Sequence, residues 1–364
     1  MSNALSVKQR FPILLMGFVS LLFGSYLGLY RLGFNLPLSP TQIALHGPLM
    51  VCGFLGTVIC LERAVAIGRT WAYGGALASA LGALFLMIGL NWLFGVTLIL
   101  LASAILQVAS IRILFQQREW FCFILLLGSF SWLLGCALWL KGLPLIQIIP
   151  WWVGFLVLTI AGERLELCRF LKPSKTNQIS FIITICFFMM SMISSSLINI
   201  GAFQFLSLTL LMLALWFLSN DIVRQTIKQR GLTRYIAVAL ASAYLWLLVG
   251  ALIGLGTPIL ISGSSYDAFL HAIFVGFGFS MIFGHAPIIF PAMTKLKIPF
   301  NKHFYLPLFS LHLSLILRVA GDFSHIQSLR KFGGMLNLIS IILFMLIMAT
   351  AVIIGKHKEA HSHN

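Results

Sequence analysis

Charge is what this sequence has least of. Asp, Glu, Lys and Arg together make up 9% of 364 residues, against roughly a quarter in a soluble domain. Only eight residues are acidic. The catalytic signatures are missing as well. There is no Walker loop, no G-x-S-x-G, no H-E-x-x-H and no C-x-x-C-H for covalent haem. Six cysteines occur (Cys52, Cys60, Cys122, Cys136, Cys168, Cys186), none in a C-x-x-C pair and most inside apolar runs, so no disulfide framework is expected. Histidine is absent between His46 and His271.

What is present is hydrophobic. Apolar residues make up 60% of the chain, and the mean hydropathy is +1.02. Water cannot solvate such a surface, so the partner it predicts is a lipid bilayer. Twelve helices of about 20 residues with short links would use nearly the whole chain. The fold class expected is therefore an all-α integral membrane protein with about twelve transmembrane helices. Residues 1–355 would form a single transmembrane domain, followed by a short cytoplasmic tail at 356–364.

Apolar windows fall at 11–30, 43–61, 71–90, 93–115, 120–140, 145–162, 179–197, 202–218, 235–255, 268–290, 304–320 and 334–355. The third and fourth nearly touch at Asn91-Trp92, which leaves eleven spans as the alternative. The first run follows Lys8 and Arg10. It is too long for a signal-peptide core and lacks a small-x-small exit, so it reads as a retained span.

Basic residues support the count of twelve. With the N-terminus inside, 19 of 24 lysines and arginines fall on the inner side. Arg31, Lys141, Arg318, Arg330 and Lys331 are the exceptions. The localisation expected is a bacterial inner membrane, with both termini cytoplasmic. The net charge of +16 is thereby assigned to topology, and nucleic acid is not an expected partner.

A weak repeat runs through the chain. Leu45-His46 is followed after six residues by Gly53-Phe54, and Leu270-His271 after six by Gly278-Phe279. Ile146-Gln147 is followed in the same way by Gly154-Phe155. Glu62-Arg63 and Glu163-Arg164 come nine residues after the glycine in two copies, whereas Pro287 stands there in the third. The copies lie four spans apart, which is consistent with three four-helix pseudo-repeats.

The second and tenth spans run in the same direction, so His46 and His271 lie at matched depth near the outer face. Seven residues is close to two helical turns, which puts each histidine on the face of its glycine. Two neutral imidazoles at one depth suit a six-coordinate haem iron. Its propionates would need cations, and Arg318 and then Arg31 are the candidates. The plainer reading is that each histidine bonds a neighbouring helix. Arg318 could equally be an interfacial anchor.

His285 lies 14 residues past His271, about 21 Å along a helix, so one haem cannot use both. A second metal site or a proton path with His312 is one reading of His285, and helix-end packing is the other. His303 reads as a loop residue. Glu62 and Glu163 read as helix-end ion pairs or a proton relay. The tail histidines His357, His361 and His363 are metal candidates through the four-residue spacing of the first two.

His46-Gly47-Pro48-Leu49-Met50, followed by Gly53-Phe54, resembles the second-span motif of haem-copper oxidase subunit I. That superfamily has twelve spans in three four-helix pseudo-repeats, with a low-spin haem held between histidines of the second and tenth. The resemblance implicates His46 and His271 as ligands, and Arg318 as the neighbour of the propionates. The stretches around Leu270-His271 and Phe283-Gly284-His285 are similar to the NnrS-type membrane proteins, haem- and copper-containing relatives linked to nitric oxide stress. The likeness covers about a fifth of the chain.

The departures from subunit I are definite. The copper-binding histidines of its sixth span and of the link after its seventh have no counterpart, and its paired His-x-His is missing. A conventional oxygen-reducing centre is not expected. Copper would have to use His285, His312, or methionine and cysteine sulfur.

The function this implies is a haem-binding inner-membrane protein of NnrS-like type, with a non-covalent b-type haem. It would act in the nitric oxide response or in respiratory electron transfer, with a redox partner or respiratory complex. The alternatives are a twelve-span secondary transporter, which would carry no chromophore, and an assembly factor for a respiratory complex.

Overall fold

The computed structural model describes residues 4–37, 40–171, 174–197, 201–257, 262–296 and 298–362, with side chains at all of these except 40, 41, 170 and 356–362. Lys172, Lys297 and His363 lie outside the described residues. So do the side chains of His357 and His361.

Every regular element among the described residues is helical, and twelve helices are long and apolar enough to cross a membrane. They are α1 (Val7–Arg31), α2 (Gln42–Ile67), α3 (Thr70–Met87), α4 (Trp92–Gln116), α5 (Trp120–Leu140) and α6 (Leu145–Cys168). The second six are α7 (Lys175–Ser196), α8 (Ala202–Asn220), α9 (Gly231–Gly256), α10 (Ser264–Thr294), α11 (Lys302–Ser324) and α12 (Gln327–Gly355). The protein is a multi-pass, all-α membrane protein. With no water in the hydrocarbon, every main-chain polar group must bond within its own span, and the helix does this for apolar sequence of any detail.

The doubtful junction at Asn91 is a true break. Asn91 has extended backbone, and its side chain accepts from the Phe94 amide at 2.9 Å, capping α4. The spans carry lipid-facing stripes. On α1, Phe11, Leu15, Val19 and Leu22 are exposed at helical spacing, while Ile13, Leu14, Leu21 and Leu27 are buried.

By compactness the chain divides into two units. The first is residues 1–162 with 293–295, and the second is 163–292 with 296–364. In the first unit small residues allow close helix approach, as membrane packing favours. A Cβ on Gly82 of α3 would lie 2.7 Å from the Gly95 carbonyl of α4. Trp132 of α5 is fully buried, stacked on Phe155 of α6 with ring centroids 4.9 Å apart.

In the second unit α11 and α12 form a tight hairpin. His325 turns the chain with left-handed backbone, φ 57°. Gly333 of α12 meets α11 so closely that a Cβ there would lie 2.6 Å from the Arg318 nitrogen.

Two spans depart from α geometry. Leu49–Leu55 of α2 and Ala272–Phe279 of α10 are π-helical. Each stretch lies just after the repeat histidine and contains its Gly-Phe pair. The third copy, in α6, is α-helical through the corresponding residues. The motif seen in sequence therefore has a shared backbone form in its two histidine-bearing copies. The i→i+5 bonds of a π-turn retard the helical phase. In α2, His46 packs on Gly28 of α1, and a Cβ at Gly53 would face Ser20 of the same helix and Ala83 of α3.

Candidate functional site

His46 stands at the start of the regular part of α2, at the end of a short 3-10 turn. Its Nδ1 is 2.7 Å from the Gly24 carbonyl on α1. A carbonyl only accepts, so Nδ1 carries the proton and the lone pair is on Nε2. The ring packs closely against α1 because residue 28 is glycine. A Cβ there would come within 2.8 Å of the imidazole Cε1.

His271 has the same arrangement in the second unit. Its Nδ1 is 2.8 Å from the Asp267 carbonyl, one turn earlier in α10, and 3.5 Å from the Asp267 carboxylate. Its lone pair is likewise on Nε2. Metal-binding histidines commonly donate their second nitrogen to a carbonyl or carboxylate, which fixes the tautomer and orients the ring. Both candidate ligands meet that requirement.

Arg318 belongs to an ion-pair network. It is buried on α11, and its guanidinium donates to Asp267 and lies 3.4 Å from Asp322. Arg330, at the start of α12, pairs with Asp322 and lies 3.6 Å from Asp267. Asp267, Arg318, Asp322 and Arg330 thus form a charge-balanced network joining α10, α11 and α12, with His271 on its edge. Arg318 Nε and the facing Asp322 Oδ2 are both buried with no hydrogen-bond partner among the described residues. Arg31 is exposed in the last turn of α1.

A second cluster was not anticipated. Arg164 near the end of α6 clasps Asp221 through two bonds of 2.9 and 2.8 Å, with both side chains almost fully buried. Tyr244 of α9 donates to the same carboxylate at 2.9 Å, and the Val223 amide does so at 2.8 Å. The third Arg164 nitrogen approaches His285 Nε2 at 3.5 Å, while His285 Nδ1 donates to the Met281 carbonyl at 2.8 Å. All three aspartates in the sequence are accordingly bound to arginine in these two clusters.

His285 and His312 are the sequence's candidates for a second metal site or a proton path. A cation at His285 would sit against the Arg164 guanidinium. His312 Nδ1 accepts from Trp246 Nε1 at 3.0 Å, which puts the ring proton on Nε2 and leaves no free lone pair. No three His, Cys, Asp or Glu side chains gather to hold a metal among the described residues. His303 is exposed, in the 3-10 turn that opens α11. Glu62 and Arg63 are both half-buried near the end of α2. In the other copy of that pair, Arg164 bonds Asp221.

The acidic partners were missed for a definable reason. Asp267 and His271 are four apart, as are Arg318 and Asp322, the spacing at which side chains meet on one helix face. In a chain with three aspartates that spacing was a usable signal. For Asp221 and Arg164, 57 residues apart in sequence, there was none.

Twelve apolar spans with ionised side chains buried in paired clusters define an integral membrane protein with a polar interior. The chain belongs to the family described as domain of unknown function DUF8744, which matches residues 10–353. No curated protein matches it.

Proposed function

We propose that this protein binds haem non-covalently, with His46 and His271 as the residues that would hold it, and serves electron transfer in a bacterial inner membrane. The observation that carries the reading is the shared state of the two histidines. Each donates Nδ1–H to a main-chain carbonyl, keeps its lone pair on Nε2, and precedes one of the two π-helical stretches among the described residues. Irregular helix turns of this kind recur at functional sites. The resemblance to NnrS-type proteins points the same way.

Haem supplies a one-electron centre. The chain's own residues orient the two imidazoles. Two imidazoles holding the group would favour electron transfer over gas binding. A nitric oxide role would require one histidine to give way.

Replacing His46 or His271 by alanine should abolish or convert the haem spectrum of the purified protein. Unchanged haem content and spectrum in both variants would remove the assignment.

A second reading is favoured by the arginine–aspartate clusters. Ionised side chains within spans commonly mark ion or substrate pathways, and the transporter alternative uses them as substrate contacts. It requires uptake by a protein with no chromophore.

A further inference from the structure

The network around Asp267 does more than neutralise charge. It reaches His271 at the nitrogen opposite the one that would face a metal. The Asp267 carboxylate is 3.5 Å from His271 Nδ1, and its carbonyl accepts the Nδ1 proton at 2.8 Å. The carboxylate is itself held by Arg318 and faced by Arg330 at 3.6 Å. Arg318 in turn has Asp322 at 3.4 Å, and Asp322 also binds Arg330. None of these side chains is more than about a quarter exposed.

We infer that Asp267 is a positioning residue that sets the donor strength of His271, and that Arg318 moderates it. The inference rests on the haem reading above. The Nδ1–H is bonded to the Asp267 carbonyl, and the negative carboxylate 3.5 Å away polarises the ring and makes the imidazole a stronger donor. Outer partners of this kind tune a metal centre. A stronger donor and a nearby negative charge both favour the oxidised, more positive iron, so Asp267 lowers the reduction potential. Arg318 and Arg330 partly cancel that charge and hold the carboxylate in register. Arg318 therefore acts on the centre through Asp267, rather than by binding a propionate.

Opposite signs make this testable. Asp267→Asn keeps the size and the backbone acceptor but removes the charge, so the midpoint potential should rise. A tenfold change in the oxidised-to-reduced ratio would read as about 59 mV for one electron. Arg318→Gln removes the moderating charge, so the potential should fall. Asp322→Asn disturbs the same network without touching His271 and should shift the potential less than Asp267→Asn.

The measurement is a spectroelectrochemical titration of the full-length protein in detergent, with haem content read alongside. Wild-type and variant potentials within error of one another, with haem retained, would overturn the inference while leaving the haem reading intact. Shifts of the same sign in Asp267→Asn and Arg318→Gln would also overturn it, since a merely structural network loosens the site either way. A colourless wild-type protein would overturn both. If Asp267→Asn does not accumulate, Arg318→Gln decides the matter alone by a fall or its absence.

Discussion

At the scale of single residues, the state of a ring nitrogen carries the functional argument. His46, His271 and His285 each donate Nδ1–H to a main-chain carbonyl, and His285 Nε2 lies 3.5 Å from the Arg164 guanidinium. His312 is held the other way round by Trp246. Sequence ranks these four by position along a span. It cannot show tautomers, because those depend on neighbours from other helices. Gly28 is an example of such a neighbour, lying on α1 and leaving room for the imidazole of α2. Gly28→Ala should force that ring aside. Overpacking of this kind costs about 1–3 kcal/mol, and both a lower melting midpoint in detergent and a lower haem content are expected. Normal values for both would show that the ring does not depend on this contact.

At the scale of elements, the buried Arg164–Asp221 pair ties the end of α6 to the segment after α8, with Tyr244 of α9 on the same carboxylate. Removing one partner leaves the other charge buried and alone, which costs about 3–5 kcal/mol. Asp221→Leu and Arg164→Met should each destabilise the protein sharply. The double variant should recover much of the loss, because an apolar pair carries no unpaired charge. Thermal melts of the three variants form a double-mutant cycle, and a strictly additive double would deny the pairing. The π-helical stretches illustrate what elements conceal. Leu49–Leu55 and Ala272–Phe279 are almost wholly apolar and buried, so hydropathy reads them as ordinary span. A change from i→i+4 to i→i+5 bonding leaves no trace in composition. The helices themselves were legible because each is a long apolar run. The Asn91 break was legible as a cap residue once the structure had shown which way it turned.

At the scale of the whole molecule, twelve spans follow from hydropathy together with the placing of basic residues, while the division into two units after residue 162 does not. It falls inside α6, an unbroken helix with no linker composition to mark it. The four-span spacing of the repeat and the two-unit division describe different things, namely motif recurrence and compactness. The placing of basic residues makes a separate claim about orientation. With 19 of 24 on one side, reporters fused to either terminus should both report cytoplasm. A terminus found outside would break the count of twelve or the charge rule.

The most direct test of the account is the absorption spectrum of the purified, full-length protein, oxidised and dithionite-reduced, after expression with ample haem supply. Sharp reduced bands, with b-type haem recovered by pyridine extraction, are the predicted result. A colourless protein would contradict the central claim and leave His46, His271 and Arg318 to be tested as substrate contacts of a transporter.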